Sequence, residues 1–326
     1  MPLIISLPGS YPPVRLSPPP LTEEEVEESI RRAIAHQQEA IRDAPIEWLF
    51  VDGQPRSDIV GIFAPSLGLS GVGLPYQVTQ EIRHTKPITL RDLEIAAEAA
   101  NGRPLKAHIT GPTLMAESCE LTADAPARYR EDPEPPRRLT LDLAHALAEE
   151  ARQIVNAPGL SVTHLQVDEP TLVYGADLSL AGEALGIITQ VAREAGLPTI
   201  LHVCGDIGDI MEDLLKMPVD ILNVEGSHLR EVHWLDADCL ARSGKKLAIG
   251  CIPVNVEEIP SVRWLERELL FATERYGVEH IWGITTECGL RMSDLELAQA
   301  RLYRLVEVAR AVASRFELQM LGGDDE

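Results

Sequence analysis

The chain alternates throughout between short apolar runs rich in β-branched residues and longer amphipathic segments, and this alternation limits the folds that it can adopt. Runs that are apolar at nearly every position are typical of strands buried on both faces, as in a parallel sheet covered by helices. Each run ends at Gly, Pro, Asp or another polar residue, which favours a turn. The sequence therefore predicts eight strands, at residues 3–7, 48–51, 105–110, 164–167, 199–203, 221–224, 246–250 and 280–285.

The segments between these strands carry apolar residues at spacings of three and four, which predicts helices. Thr22 and Glu25 form the pattern of a capping box at the start of the first helix. Gly196 and Gly277 stand where helix C-caps are expected. The predicted helices cover residues 22–43, 90–100, 139–155, 180–194, 207–216, 256–276 and 295–316.

Eight strands that are each followed by a helix favour a single α/β domain, a (β/α)8 TIM barrel over residues 1–326. A doubly wound open sheet is the alternative. The sequence predicts a proline-rich N-terminal extension over residues 1–20, which includes the first strand, and a flexible acidic tail over residues 321–326. Residues 52–104 form a long connection, which we expect over the barrel mouth. The barrel also predicts that functional side chains gather at the carboxyl ends of the strands.

The formal net charge is −22, from 51 acidic and 29 basic residues. Such a surface repels phosphate backbones and anionic lipids, so neither nucleic acid nor a membrane is an expected partner. The acidic surface would suit a protein that binds a partner with a basic face. It is equally consistent with simple solubility or with a high-salt habitat. No apolar stretch reaches 18 residues, and the N-terminus lacks the basic and apolar regions of a signal peptide. Together with five scattered cysteines, these features predict a cytoplasmic protein.

Four candidate metal ligands lie at strand ends. His202 and Cys204 are two residues apart at the end of the fifth strand and so point to the same side. Glu225 ends the sixth strand, and Cys288 follows the eighth. Each residue singly has a structural explanation, but two thiolates, one imidazole and one carboxylate form a suitable tetrahedral set for Zn²⁺. Zinc would deprotonate a substrate thiol, and Glu225, as the hardest ligand, is the one expected to loosen.

Other polar residues at strand ends suit an amino-acid substrate. Asp168 and Glu169 end the fourth strand, where one carboxylate binds a substrate ammonium group or caps a helix. After the first strand, Gly9 allows backbone N–H groups to approach a ligand, and Ser10 adds a hydroxyl, which suits a carboxylate. Gln54 follows the second strand and is expected to face the same mouth.

The motifs PGSYP, DGQPRSDIV, ITGPT, QVDEP, HVCGD, NVEGS and ECGL span nearly the whole chain. Together they resemble the catalytic C-terminal half of cobalamin-independent methionine synthase, and more closely its short single-domain relatives. The resemblance implies methylation of the thiol of homocysteine to give methionine. It also implies a zinc ion, held by His202, Cys204, Glu225 and Cys288.

The same resemblance assigns the substrate site. Gly9, Ser10 and Asp168 would hold homocysteine, and Gln54 stands where the long members carry Glu. The predicted substrate-binding residues are therefore Gly9, Ser10, Gln54, Asp168 and Glu169. The predicted catalytic residues are Asp168 and Glu225.

Two departures from the long members bear on the methyl donor. The chain lacks their extra N-terminal barrel, which helps to hold a polyglutamyl folate, and the stretch IPVNVEEIP after the seventh strand lacks their histidine. A leaving folate amine must be protonated, whereas a leaving corrinoid cobalt need not be. The sequence therefore predicts a methylated corrinoid protein as the donor and partner.

Two other interpretations stay open. A related zinc barrel acting on coenzyme M, as a methyltransferase or an epoxide-opening transferase, would need a cation for the sulfonate. The candidates for that cation are Arg56, Lys106 and Arg291. A non-catalytic zinc-binding scaffold would have a closed four-ligand site, which would leave Asp168 and Ser10 without a task.

Overall fold

The computed structural model of the chain describes residues 3–15, 20–42, 47–55 and 58–321. Its strands fall into one large parallel sheet and one small sheet. The strands are β1 (Ile4–Ser6), β2 (Glu47–Leu49), β3 (Leu69–Ser70), β4 (Tyr76–Val78), β5 (Leu105–Thr110), β6 (Cys119–Glu120), β7 (Val162–Asp168), β8 (Thr199–Val203), β9 (Ile221–Glu225), β10 (Lys246–Ile252) and β11 (Ile281–Thr286).

The large sheet closes into a barrel. Its eight strands follow the order β2-β1-β11-β10-β9-β8-β7-β5, and all neighbours are parallel. A parallel bridge between Phe50 and Leu105 joins the two ends of that order. Two hydrogen bonds support the bridge, from the Phe50 amide to the Pro104 carbonyl at 3.0 Å and from the Lys106 amide to the Phe50 carbonyl at 2.8 Å. The predicted barrel is confirmed, and the open sheet is excluded.

Helices connect the strands and surround the barrel. The predicted capping box is present, because Thr22 Oγ1 accepts from the Glu25 amide and Glu25 Oε2 accepts from the Thr22 amide. The helices are α1 (Glu23–Ala40), α2 (Ala64–Leu67), α3 (Leu90–Ala99), α4 (Pro112–Glu117), α5 (Ala127–Arg130), α6 (Pro135–Val155), α7 (Leu178–Glu194), α8 (Met211–Leu214), α9 (Gly226–Leu229), α10 (Ala237–Ser243), α11 (Val262–Tyr276) and α12 (Leu295–Leu321).

Two predicted helices are shorter than expected. The helix predicted over 207–216 is reduced to α8, because the Asp206 carboxylate accepts from the Gly208 amide at 2.9 Å and holds a turn there. The helix predicted over 256–276 begins only at Val262, where the Ser261 hydroxyl accepts from the Trp264 amide as an N-cap. In both cases a local side-chain hydrogen bond outweighs the apolar periodicity.

The interior of the barrel changes from apolar to polar toward the carboxyl ends of the strands. One interior layer is apolar and consists of Leu49, Ile200, Ile221, Ala248 and Trp282. Two residues further along their strands, and so on the same side, lie the buried polar residues His202 and Asn223. The main apolar core lies outside the ring, where strand residues such as Leu201 and Leu222 join residues of the surrounding helices.

The long connection between β2 and β5 covers part of the barrel mouth, as predicted. It holds β3 and β4, which pair with β6 in the small sheet. Ile59, Ile62 and Phe63 from this connection line the cavity at the mouth. No helix among the described residues is long and apolar enough to cross a membrane. The predicted acidic tail lies outside the described residues except for Leu321, which ends α12.

Candidate active site

A cavity of about 140 Å³ opens at the carboxyl ends of the barrel strands. It is lined by residues that follow or end β1, β2, β5, β7, β8 and β11, together with the three apolar side chains of the long connection. Its polar lining brings together most of the residues that the sequence singles out. These lining residues are Gly9, Ser10, Gln54, His108, Thr110, Asp168, His202, Cys204 and Cys288.

Three of the four predicted metal ligands form one cluster. Cys204 Sγ lies 2.9 Å from His202 Nε2 and 3.0 Å from Cys288 Sγ. The possible ligand atoms of the three residues all lie within 4.8 Å of one another. Two sulfurs and one imidazole nitrogen at this spacing are a donor set that a divalent metal ion accepts.

The protonation of the two thiols supports that fit. The hydrogen bond from Cys204 lowers the pKa of the Cys288 thiol well below its usual range, against the opposing effect of burial, and His202 adds to the lowering. The same contact and burial raise the pKa of Cys204. One sulfur is thus inclined to be a thiolate while the other keeps its proton. A dipositive ion would favour the thiolate form of both, because thiolates are the form that binds metals.

Glu225, the fourth predicted ligand, does not join the cluster. Its Oε1 accepts a hydrogen bond from the Gly205 amide at 2.8 Å, and its Oε2 lies 3.4 Å from His228 Nε2. These contacts hold the carboxylate beside the backbone that follows Cys204. Its role as a metal ligand therefore stays a prediction.

Asp168 is connected to the loop that follows β1. Its Oδ1 accepts from Gln166 Nε2 at 2.6 Å, and the same amide nitrogen donates to the Pro8 carbonyl at 2.6 Å. Pro8 precedes Gly9 and Ser10, which line the cavity together with Asp168. The carboxylate and the loop are thus held by one side-chain amide.

Gln54 combines backbone strain with an unpartnered side chain. Its φ is +28°, a region that non-glycine residues rarely adopt. The side chain is 4% exposed, and neither its Oε1 nor its Nε2 has a hydrogen-bond partner among the described residues. A strained residue with a buried free amide at a cavity wall is typical of a ligand-binding position. Gln54 thus lies at the cavity wall, and its role in substrate binding stays a prediction.

The prediction that Glu169 binds substrate is wrong. Both of its carboxylate oxygens accept from backbone amides at the start of α4, Oε1 from Thr113 and Oε2 from Leu114, each at 2.8 Å. Glu169 is fully buried and does not line the cavity. Adjacent residues at a strand end point in opposite directions, so Asp168 faces the mouth while Glu169 faces away. Glu169 instead ties the end of β7 to α4.

The sequence interpretation missed one cavity residue, His108, and its neighbour Asp52. His108 lines the cavity with its Nε2 3.7 Å from Asp52 Oδ1, and its Nδ1 has no hydrogen-bond partner among the described residues. The alternation of polar and apolar residues along β5 could have revealed His108. Lys106, His108 and Thr110 are polar and share one face of the strand, whereas Ala107 and Ile109 between them are apolar. The pattern matches that of His202 and Cys204 at the end of β8.

Among the described residues, the cavity lining offers no lysine or arginine of the kind that a coenzyme M enzyme would need. Arg56 lies outside the described residues. Lys106 is 1% exposed, and its ammonium group donates to three oxygens of the protein. Arg291 donates to the Pro55 carbonyl and does not line the cavity. Neither of the two described candidates therefore offers a charge to a sulfonate.

Comparison with known proteins gives the family. Residues 16–311 match the family model of the catalytic domain of cobalamin-independent synthase. The methionine synthase of Methanothermobacter thermautotrophicus is 28% identical over 94% of this chain and 99% of its own length. The methionine synthase of Methanocaldococcus jannaschii is 28% identical over 95% and 99%. The 5-methyltetrahydropteroyltriglutamate–homocysteine methyltransferase of Burkholderia mallei is 25% identical over 68% of this chain but only 28% of its own length.

Solved structures agree on the fold. A B12-independent methionine synthase from Shewanella sp. W3-18-1, in complex with selenomethionine, matches with a TM-score of 0.77 at 20% identity, over 98% of this chain and 100% of that one. A methyltransferase from Methanosarcina mazei matches with a TM-score of 0.61 at 15% identity, over 95% and 94%. At these identities the likeness concerns the barrel alone.

Fold and cavity together define a barrel enzyme with a sulfur-rich group of possible metal ligands at its mouth. The match over residues 16–311 identifies which one: the chain belongs to the cobalamin-independent methionine synthase family and is a methyltransferase. The family resemblance noted in the sequence is confirmed.

The buried contact of Glu169 predicts a stability effect at Gly111. A Cβ atom at Gly111 would lie 2.1 Å from Glu169 Cδ, so we expect Gly111→Ala to lower the free energy of unfolding by about 1–3 kcal/mol. Gly186→Ala within α7 is the matched control, because its nearest neighbour would be 3.8 Å away and alanine favours a helix. Urea unfolding followed by circular dichroism measures both. Wild-type stability of Gly111→Ala would contradict this packing.

The Cys–Cys–His cluster, formed by Cys204, Cys288 and His202, predicts which substitutions weaken metal binding. After dialysis against zinc sulfate and removal of free ions, we expect Cys288→Ser and His202→Ala to retain at least tenfold less metal than the wild type, because each removes one donor. Cys239→Ser is the control, since Cys239 lies on α10 away from the cluster. Inductively coupled plasma mass spectrometry gives the metal content. Equal retention by Cys288→Ser and Cys239→Ser would rule out the cluster as the binding site.

Proposed function

We propose that the protein is a zinc-dependent methyltransferase that transfers a methyl group to the thiol of homocysteine and forms methionine. The observation that carries the proposal is one small cavity lined both by groups suited to an amino acid and by the Cys–Cys–His cluster. The names of the full-length relatives, methionine synthases, support the same product.

The amino-acid end of the substrate would be held by the groups between β1 and β7. Asp168 supplies a carboxylate for the ammonium group, and its oxygens keep acceptor capacity beyond the bond from Gln166. Ser10 supplies a hydroxyl for the substrate carboxylate, and Gly9 allows the ligand to approach the backbone. The free amide of Gln54 can serve either end, because it both donates and accepts.

The thiol end would reach the metal cluster. His202, Cys204 and Cys288 would hold zinc, with Glu225 as the proposed fourth ligand. When bound, zinc lowers the pKa of a thiol that reaches it and so supplies a thiolate nucleophile at neutral pH. Tethering of Glu225 to the Gly205 amide, beside Cys204, supports a role next to the metal.

The corrinoid donor predicted from the sequence finds no support among the relatives that the chain matches. The sequence bases that donor on the lack of the extra N-terminal barrel and of a histidine after β10, but the structure brings another histidine, His108, into the cavity beside Asp52. The donor that appears in the name of a relative is 5-methyltetrahydropteroyltriglutamate, in the longer Burkholderia mallei enzyme. We therefore propose a methylated tetrahydropterin as donor, with His108 as the candidate source of the proton that its leaving nitrogen takes up.

In this reaction the carbon–nitrogen bond to the methyl group breaks and a carbon–sulfur bond forms. The thiol loses its proton, and the leaving nitrogen gains one. Incubation of the zinc-loaded protein with homocysteine and methyltetrahydropteroyltriglutamate should give methionine, measured by mass spectrometry. A chelator should stop the reaction, zinc should restore it, and Cys288→Ser should abolish it while Cys239→Ser leaves it unchanged.

Parallel reactions with other substrates make this assay decisive. Coenzyme M in place of homocysteine should give no product, because the described residues offer no cation to its sulfonate. Methionine formed with methylcobalamin and not with the pterin would overturn the proposed donor and leave the acceptor intact. Methylation of coenzyme M in preference to homocysteine would overturn the proposed acceptor.

Asp168 should set the affinity for the ammonium group. We expect Asp168→Asn to raise the KM for homocysteine by about tenfold to hundredfold, because a hydrogen bond between two charged groups contributes about 1.5–3 kcal/mol. Asp124→Asn, at an exposed position away from the cavity, is the control. Initial rates at varied homocysteine concentration measure both. An unchanged KM in Asp168→Asn would show that another group binds the ammonium.

A further inference from the structure

Lys106 is a buried cation that the proposed reaction does not use. It lies on β5 inside the barrel and is 1% exposed. Its Nζ donates to the Leu7 carbonyl at 2.6 Å, to the Pro8 carbonyl at 3.2 Å and to Gln166 Oε1 at 2.5 Å. An ammonium group has three hydrogens to donate, so all of its donors are taken by the protein. Lys106 therefore does not bind substrate directly.

The contact with Gln166 fixes the direction of that side chain. A glutamine amide has one acceptor end and one donor end. Because Lys106 holds the oxygen, the nitrogen must point the other way, where it donates to Asp168 Oδ1 and to the Pro8 carbonyl, both at 2.6 Å. Lys106 thus decides that Asp168 receives a hydrogen bond and that its carboxylate faces the cavity in one orientation.

The same cation also holds the loop after β1. Both Lys106 and Gln166 donate to the Pro8 carbonyl, and Lys106 donates to the Leu7 carbonyl next to it. Gly9 and Ser10 follow directly. The loop after β1 and the Asp168 carboxylate at the end of β7 lie on strands that are not neighbours in the sheet. They are joined through the Gln166 amide and the Lys106 ammonium group that orients it.

A buried lysine is a costly way to fill space. An apolar side chain of similar volume would pack without the desolvation penalty. Burial lowers the pKa of Lys106 to about 7, although Asp168 and Asp52 oppose the shift. Two of the groups around it belong to the cavity wall, because the Pro8 carbonyl accepts from both Lys106 and Gln166, the Asp168 carboxylate accepts from Gln166, and both residues line the cavity. Its location indicates that Lys106 holds the cavity wall in place and does not simply fill the core.

We propose that Lys106 is a positioning residue that sets the spacing between the Gly9–Ser10 loop and the Asp168 carboxylate. This spacing makes the cavity selective for ligands that carry an ammonium and a carboxylate on the same carbon. The inference rests on the proposed function, since it takes these two groups as the binders of an α-amino acid.

Equilibrium binding of methionine to the zinc-loaded protein tests the proposal without turnover. Lys106→Met should raise the Kd for methionine, measured by calorimetry, by roughly tenfold or more, because a small displacement of paired binding groups is costly. The KM for homocysteine should rise in parallel, while kcat at saturation and the zinc content stay within about twofold of the wild type. Lys245→Met, a half-buried lysine just before β10, is the matched control and should change none of these values.

A second variant covers the case in which Lys106→Met fails to fold. Gln166→Glu keeps an acceptor for Lys106 but removes the amide that donates to Asp168 and Pro8. It should raise the methionine Kd to a similar extent. Because Lys106 acts through Gln166, the effects of the two substitutions should not add in the double variant.

Three results would overturn the proposal. They are a wild-type methionine Kd in folded Lys106→Met or in Gln166→Glu, full additivity of the two substitutions, and loss of zinc or kcat together with affinity. The last result would show a structural role. Failure of the proposed function looks different, because the wild-type protein would then neither bind methionine nor methylate homocysteine.

Discussion

Closure of the sheet between Phe50 and Leu105 is the constraint on which the site depends. A closed ring of parallel strands brings eight carboxyl ends to one rim. His202 and Cys204, two residues apart, point into that rim from one strand. Cys288 is 84 residues away from Cys204 along the chain, and yet their sulfurs lie 3.0 Å apart. An open sheet would place β11 and β8 side chains at one edge without turning them toward a common axis.

Along the barrel axis, the residues that stabilise the fold and the residues available for chemistry lie in separate layers of the interior. The apolar layer around Trp282 holds the strands together, and the polar side chains begin one layer above it. Burial of polar groups is tolerated there because nearly all are hydrogen-bonded, as in the network from Lys106 through Gln166 to Asp168. The exceptions include Gln54, His108 and His202, which keep unpartnered buried atoms and all line the cavity.

The family could be recognised from the sequence because its motifs stand at strand ends, where the barrel requires them. Two candidate metal ligands, His202 and Cys204, could be predicted because they are unlike their apolar neighbours and share a strand face. On β5 the same alternation of polar and apolar residues marks His108, so its position is also contained in the sequence. Alternation likewise turns Glu169 toward α4 and away from the mouth, because it follows Asp168 directly. The donor inference failed because it considered one loop and not the whole rim.

The sequence by itself determined the eight strands of the barrel, most of the helices and the set of residue types available for chemistry. Periodicity is local, so a single chain segment contains enough information to define it. Only the tertiary structure decided which polar groups meet. It separated Asp168 from Glu169, left Glu225 outside the Cys–Cys–His cluster, and joined Lys106 to the loop after β1. These outcomes depend on contacts between distant strands, whose distances are set by barrel closure and by competing hydrogen bonds that no local pattern records.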